Sequence, residues 1–470
     1  MAKLLRGTRR MLRGTQASAS GSASCGRPYS SVAVVGAGAA GLVAARELAR
    51  ENLHVTLFER GSEVGGTWVY NEEAAGDKSA YHIHSSLYKS LRVNLPKEIM
   101  GYSDFPFVDR TGMRYCKHLE VHQYLQDFAS FFGIDRFIEK DTLVEQAEAT
   151  SEDKWRLRVR PKGSEESEER VFDALVVCNG HFESPKLPQG VDKGFVGAQV
   201  HSRDYKRADV EEFIGKRVLV VGAGPSGDDL SREVAQVASA VHWSGRGFDR
   251  FDADKMASFR DSLPPKVRLC SNVVRVEGGM AHFEKGEDEP AEVDTILWCT
   301  GYHYSVPFLT GDVVETRNGR IEPLYEHLFH PSFGARLSFI GLGFRILPFP
   351  FFEIQAKWVA KCLAGGCELP PKQEMLRRAL SFYESIDREG ARIDMTHCMD
   401  GIQWDYLERI TSQVEGCEKL EDWKIQLYEL NRAKKAKHPN QYRDLVLPEE
   451  RPFMDAGREA MIREDHHHNL

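Results

Sequence analysis

Apolar positions in this chain fall into short uninterrupted runs followed by helical spacing, and the pattern occurs twice. Ser31-Val32-Ala33-Val34-Val35 is a run of the kind found in strands buried on both faces. It leads into Gly36-Ala37-Gly38-Ala39-Ala40-Gly41, then a stretch with Ala44, Ala45, Leu48 and Ala49 at helical spacing. A second strand is predicted from His54 to Phe58, ending at Glu59. The same order returns downstream: a strand at Arg217 to Val221, Gly222-Ala223-Gly224-Pro225-Ser226-Gly227, helix-like residues to Val237, and a strand at Ala240 to Trp243. Each set predicts a βαβ unit.

The two units also close alike, at Val176-Val177-Cys178-Asn179-Gly180-His181 and at Ile296-Leu297-Trp298-Cys299-Thr300-Gly301-Tyr302. Each closing run follows a polar, turn-rich segment, Pro161 to Arg170 or Gly278 to Ala291, that reads as a hairpin beside alternating strands such as Trp155 to Val159. Phe339 to Ile354 is the most apolar region; glycines, Arg345, Pro348 and Pro350 break it, so it reads as a buried loop rather than a membrane span. Helical patterns follow at Glu353 to Ala364 and Lys372 to Glu389. The expected fold is α/β, with two Rossmann-like dinucleotide-binding domains, the second inserted in the first. The expected boundaries are 1–30 for a basic tail, 31–185 and 301–440 for the two parts of the first domain, 186–300 for the inserted one, and 441–470 for a charged tail.

Glycines at these spacings have a mechanical reason. The first permits the tight turn, the second lets the backbone approach a pyrophosphate, and the third lets helix and strand pack closely. The pyrophosphate then meets unpaired N–H groups at the positive end of a helix dipole. Gly36, Gly38 and Gly41 fit these roles, with Ala37, Ala39 and Ala40 between them. Gly222, Gly224 and Gly227 fit them again, with Ala223, Pro225 and Ser226 between. The second strands distinguish the nucleotides. Glu59 places an acid where a ribose 2′-hydroxyl donates and a 2′-phosphate is repelled, which points to FAD. The equivalent place in the second unit is Ser244-Gly245-Arg246, with no acid and a guanidinium suited to a 2′-phosphate, which points to NADPH.

Composition sets the remaining bounds. The 470 residues are 41% hydrophobic and 28% charged, ordinary for a globular chain of two or three domains. The formal net charge of −8 argues against a nucleic-acid partner. Residues 1–30 contain Lys3, Arg6, Arg9, Arg10, Arg13 and Arg27 and no acid. A basic, serine-rich start of this kind predicts an organellar transit peptide, mitochondrial or plastid, with Arg27-Pro28-Tyr29-Ser30 suggesting cleavage after Tyr29. The other reading is a basic arm on a cytoplasmic protein. Cys362 and Cys367 have the spacing of a flavin disulfide reductase pair but lie far from the first fingerprint, so isolated buried thiols are expected. His466 to His468 read as a solvated terminal triplet, and no metal site is expected.

With these motifs in view, the chain resembles flavin-containing monooxygenases, within them the plant glucosinolate S-oxygenase-like branch. The identifying motif FxGxxxHxxxY/F is present as Phe195, Gly197, His201 and Tyr205, between the two modules. Glu63-Val64-Gly65-Gly66-Thr67-Trp68 resembles the family's GGxW flavin segment, and Ser90-Leu91-Arg92-Val93-Asn94-Leu95-Pro96-Lys97-Glu98 its next block. Cys299-Thr300-Gly301-Tyr302 and Pro348-Phe349-Pro350-Phe351-Phe352-Glu353 resemble its later elements. Val93 departs from the Thr common before the family's active-site Asn.

The resemblance implies an FAD- and NADPH-dependent monooxygenase of the N,N-dimethylaniline monooxygenase or S-oxygenase type. Hydride passes from NADPH to FAD, reduced flavin reacts with dioxygen to give a C4a-hydroperoxide, and a thioether sulfur or tertiary amine nitrogen of a small molecule attacks it. Asn94 matches the family's catalytic Asn, and Gly66, Thr67, Trp68, Asn94 and Leu95 match its flavin contacts. His201, Tyr205, His181 and His303 read as structural or loop residues. Rival readings are a Baeyer–Villiger monooxygenase acting on ketones, whose linker motif ends differently from Tyr205-Lys206, an NADPH–flavin electron carrier, and a nucleotide sensor.

Overall fold

The computed structural model describes residues 29–72, 81, 85–250, 252–284, 288–317 and 319–457. Most of the basic N-terminal segment and the His466–His468 triplet lie outside them.

Two twisted parallel sheets form the frame. The first has six strands in the order Phe329–His330, Gly334–Phe339, Ala174–Val177, Ser31–Val35, His54–Phe58 and Ile138–Glu139; only Phe329–His330 pairs antiparallel. The second has five parallel strands in the order Val267–Cys270, Ala240–Ser244, Arg217–Val221, Thr295–Trp298 and Ala198–His201. The uninterrupted apolar runs reflect burial on both sheet faces. Val32 and Val34 enter one core, Ala33 and Val35 another; Val218 and Val220, and Leu219 and Val221, divide in the same way. Each fingerprint helix, Ala39–Arg50 or Pro225–Val234, follows the central strand of its unit.

The second module is inserted into the first, as the pattern predicts. The chain leaves at Ser184–Pro185 and returns at Tyr302–His303, and these two short segments pair antiparallel, Pro185 opposite Tyr302. The returning chain adds Gly334–Phe339 beside Ala174–Val177.

Several local expectations change. The helix after the second fingerprint ends at Val234, and turn bonds such as Val237 N–H to Val234 O replace its last expected turn. The Gly278–Ala291 segment contains a strand of its own, Met280–Phe283, paired on both sides. The region read as a loop up to Ile354 is helical from Pro348: the helix Pro348–Leu363 opens with its prolines in the first turn, where no intrahelical N–H is needed. Within the segment expected as a charged tail, Tyr442 and Glu450 are buried, and Glu450 receives the Lys434 ammonium at 2.8 Å.

Candidate active site

The first fingerprint turns as its glycines require. Gly36 has φ +101°, and a Cβ there would lie 2.6 Å from the Cys178 carbonyl oxygen. A Cβ on Gly41 would lie 1.8 Å from the Gly36 oxygen. The first ladder bond of helix Ala39–Arg50 is Leu42 N–H to Gly38 O, and no side chain caps its N-terminus. The N–H groups of Ala39, Ala40 and Gly41 therefore precede the ladder at the positive end of the helix. Gly65 N–H donates to Ala37 O at 2.9 Å, bringing the Gly66–Trp68 turn against the fingerprint; a Cβ on Gly66 would meet the Gly38 Cα at 2.9 Å. The Thr67 carbonyl is fixed by Ser85 Oγ at 2.6 Å. Glu59 is buried, and its two carboxylate oxygens accept from Ala37 N–H at 2.7 Å and Gly61 N–H at 2.8 Å. Burial pushes this carboxyl up, and the backbone N–H groups pull against that shift. Each oxygen retains a second lone pair for a ribose hydroxyl. These residues fit FAD: a helix N-terminus free of side-chain caps, two glycine turns in contact, and a buried acid at the ribose end.

The second fingerprint repeats the geometry with a more open face. Gly222 has φ +126°, and a Cβ there would sit 2.2 Å from Cys299 O; one on Gly227 would sit 1.9 Å from Gly222 O. A Cβ on Gly224 would meet nothing within 4 Å, and Ala223, Gly224 and Pro225 are exposed. The helix ladder starts with Asp228 N–H to Gly224 O, leaving the Ser226 and Gly227 N–H groups ahead of it. Arg246 is exposed at the start of a short 3₁₀ turn. Ser244 is placed differently from expectation: it is fully buried, its hydroxyl donating to Ser271 O and accepting from Val273 N–H, both at 2.8 Å. Its one proton is used inside the fold, so Arg246 is the group of this pair left to meet a 2′-phosphate. The open turn and the exposed guanidinium fit NADPH.

Asn94 is exposed on a segment that crosses between the modules, with Val93 buried and Leu95 half-buried. The linker motif is architectural. Gly197 and His201 bring in the edge strand Ala198–His201, and a Cβ on Gly197 would lie 2.2 Å from Asp294 O. His201 Nδ1 accepts from Arg203 N–H, and Tyr205 is buried. Lys206, directly after the motif, donates to Ser85 O at 2.5 Å and Leu87 O at 3.3 Å, tying the linker to the segment that leads to Asn94. Lys206 is a tethering contact not among the residues predicted from sequence; its place beside Tyr205 was the available signal.

His181 Nδ1 meets Gly341 O at 3.0 Å, and burial lowers the imidazole to about 4, so it is neutral. His303 is exposed. Cys362 and Cys367 are free thiols, but not isolated ones: a hydrogen bond from Cys362 pulls Cys367 down to about 6. They lie at the C-terminal end of helix Pro348–Leu363, near the Lys361–Glu51 pair at the end of helix Ala39–Arg50 opposite its glycine turn. Among the described residues no His, Cys, Asp or Glu grouping suits a metal ion, and no helix is long and apolar enough to cross a membrane.

Comparison with known proteins agrees with this geometry. The family described as flavin-binding monooxygenase-like matches residues 29–249 and 254–424. Flavin-containing monooxygenase FMO GS-OX-like 3 of Arabidopsis thaliana is 38% identical over 429 residues, 88% of this chain and 93% of the relative. FMO GS-OX5 of the same plant is 40% identical over 412 residues, 84% and 87% of the two chains. Among solved structures, S-allyl-L-cysteine S-oxygenase from Allium sativum superposes with a TM-score of 0.84 at 34% identity, covering 92% of this chain and 98% of that one. Tmm from Pelagibacter sp. strain HTCC7211, at 22% identity and a TM-score of 0.76 over 89% and 94% of the chains, shares the fold. Two fingerprints built for different nucleotides and a family match spanning most of the chain lead to one conclusion: this chain belongs to the flavin-binding monooxygenase-like family and is an FAD- and NADPH-dependent monooxygenase.

Proposed function

We propose that the chain oxygenates the sulfur of small thioethers, with tertiary amine nitrogen as its second class of acceptor and dioxygen as co-substrate. The observation carrying this reading is that the segment leading to Asn94 is tied to the Gly66–Trp68 turn through Ser85 and to the second fingerprint helix through Tyr88 and Ser90, in a fold that superposes closely on an S-oxygenase. FAD, when bound, supplies hydride acceptance and oxygen activation. The chain supplies placement. Ala39, Ala40 and Gly41 N–H groups would hold the flavin's pyrophosphate, with Gly66, Thr67 and Trp68 in the adjoining turn, and Glu59 would take the ribose. Ser226 and Gly227 N–H groups would hold the pyrophosphate of NADPH, and Arg246 its 2′-phosphate. The exposed Asn94 side chain would donate a hydrogen bond to the bound flavin's reacting centre. A soft sulfur nucleophile needs access to that centre more than a charged clamp.

Oxygen-dependent NADPH consumption, measured with thioethers, tertiary amines and ketones and with peroxide followed in parallel, tests the reading. Sulfoxide as the major product is expected; ester from ketones in its place would sink it. Asn94→Ala is expected to release as peroxide most of the oxygen that wild type transfers, read as product formed per NADPH oxidised. Arg246→Ala should raise the Michaelis constant for NADPH about ten-fold or more, the scale of a lost hydrogen bond between charged groups. NADH use should stay within about two-fold; equal weakening of both would contradict the assignment.

The mitochondrial or plastid destination is part of the same proposal. Cleavage after Tyr29 would make Ser30 the N-terminus, and Ser30 N lies 3.0 Å from Asp173 Oδ2, which also accepts from Ser31 N–H at 2.9 Å. The new ammonium would then meet a carboxylate already in place. N-terminal sequencing of native protein should read Ser-Ser-Val-Ala; a start near Met1 would refute it.

A further inference from the structure

The segment carrying Asn94 is held by residues far along the chain. Arg443 Nε donates to Val93 O at 3.1 Å, and Asn431 Nδ2 donates to Asn94 O at 3.0 Å. These carbonyls belong to the two peptide planes on either side of the Asn94 Cα. Fixing both planes fixes the direction in which the Asn94 side chain leaves the backbone. Asn431 is itself held: it is 2% exposed, and its Oδ1 accepts from the hydroxyl of buried Tyr115 at 2.7 Å.

Arg443 also faces the other module. Its Nη2 lies 3.0 Å from Asp229 Oδ2, and Asp229 sits on helix Pro225–Val234, whose N-terminus is the second glycine turn. The same carboxylate accepts from Tyr88 OH at 2.9 Å, on the segment leading to Asn94. Two neighbouring contacts run in parallel: Ser90 Oγ to Glu233 at 2.5 Å, and Asn440 to Ser262 and Arg232. A planar guanidinium can serve a backbone carbonyl and a carboxylate at once, because its donors point in fixed, divergent directions.

We infer that Asn431 and Arg443 are positioning residues for Asn94, and that the Arg443–Asp229 pair makes the aim of Asn94 depend on how the NADPH-binding module is seated. The inference rests on the proposed role of Asn94. In the enzyme this linkage would let the active-site amide stay in place only while the nicotinamide module is docked, restricting peroxide loss to moments when the module moves away.

The test uses the FAD-loaded full chain. Product formed and peroxide released per NADPH are measured for wild type, N94A, R443M, R443K, D229N and N431D. N431D keeps the Tyr115 contact, loses the donor to Asn94 O, and serves alongside the Arg443 variants should a buried change impair folding. Amide hydrogen exchange of residues 88–96 is followed with and without NADP⁺. Peroxide per NADPH is expected to rise about five-fold or more in R443M and N431D, the scale of one ordinary hydrogen bond. R443K keeps a charge for Asp229 but cannot reach both partners, and should release more peroxide than wild type. NADP⁺ should slow exchange of residues 88–96 in wild type, and in R443M and D229N that slowing should disappear. An N94A enzyme that stays fully coupled overturns the role of Asn94, and this inference with it. An uncoupled N94A beside coupled R443M and N431D, with NADP⁺ still protecting the segment, overturns this inference alone.

Discussion

Gly41→Ala is expected to give a colourless protein. The added methyl would lie 1.8 Å from the Gly36 oxygen and 3.0 Å from the Gly36 carbon, and both are backbone atoms of the turn proposed to hold the flavin's pyrophosphate. No rotamer relieves such a contact, because the Cβ position follows from the backbone. Either the helix Ala39–Arg50 lifts from the strand Ser31–Val35, or the turn opens; both withdraw the Ala39 and Ala40 N–H groups from the pyrophosphate. A strain of about 3 kcal/mol or more expressed at this site weakens FAD by roughly a hundred-fold. The protein should purify without the visible flavin bands, with oxygen-dependent NADPH consumption near background. Gly227→Ala is the matching change in the other module, with its methyl 1.9 Å from Gly222 O. It should leave a yellow protein that NADPH fails to bleach while dithionite still does. A Gly41→Ala protein that retained stoichiometric flavin would show that the first turn is not the flavin site.

Arg46→Met should produce the largest loss of stability. Arg46 is 2% exposed on the first fingerprint helix and pairs with Glu47 at 2.7 Å, Glu353 at 2.8 Å and Asp104 at 2.6 Å. Its guanidinium also lies over the rings of Phe128 and Phe132, at 4.9 and 4.8 Å. Glu353, equally buried, sits on helix Pro348–Leu363 and holds Ser103 through both N–H and hydroxyl. The cluster therefore ties the flavin helix to the returning part of its own domain. Removing the cation leaves buried carboxylates short of a partner, at a cost of about 3–5 kcal/mol. The melting temperature should fall by about 5 °C in a domain of this size. Pairing the change with Glu353→Leu should recover part of the loss, since replacing a whole buried pair costs less than breaking it.

Acid should act on the same cluster. Burial pushes the Glu353 carboxyl up, and Lys357 and Arg46 beside it outweigh that, so it lies below its ordinary 4.5. A lowered carboxyl contributes stability that is full above the ordinary value and lost as pH falls through the lowered one. Glu353→Gln should therefore be less stable than wild type at neutral pH, the two converging only as pH falls below the ordinary 4.5 and through the lowered value.

Elements governed by neighbours in sequence could be read from it. Both glycine turns, their strands and the insertion of one module in the other follow from local spacing, because a turn's steric demands fall on residues a few positions apart. Glu59 was legible for the same reason. Pro348 and Pro350 were misread because a proline breaks a helix interior and opens a helix start, and the apolar pattern alone does not separate the two. The commitment of Ser244 was invisible: its partners Ser271 and Val273 arrive from the turn after Val267–Cys270 and the start of strand Val273–Glu277. Asn431 and Arg443 were less accessible still, acting on Asn94 and Val93 across 337 and 350 residues of chain. Arg443 and Glu450 fell in the segment 441–470 expected as a charged tail, whereas Glu450 is buried by pairing with Lys434.

The small ribbon formed by Ser184–Pro185 and Tyr302–His303 places the insertion's two ends side by side. A cassette with touching ends makes little demand on its host, which needs only a tight loop where the cassette begins and stops. The host's own sheet continues past the cassette, Gly334–Phe339 lying beside Ala174–Val177. The ribbon also brings both covalent connections of the second nucleotide reader to one place, so a rocking of the reader would twist the chain there and nowhere along the host's sheet.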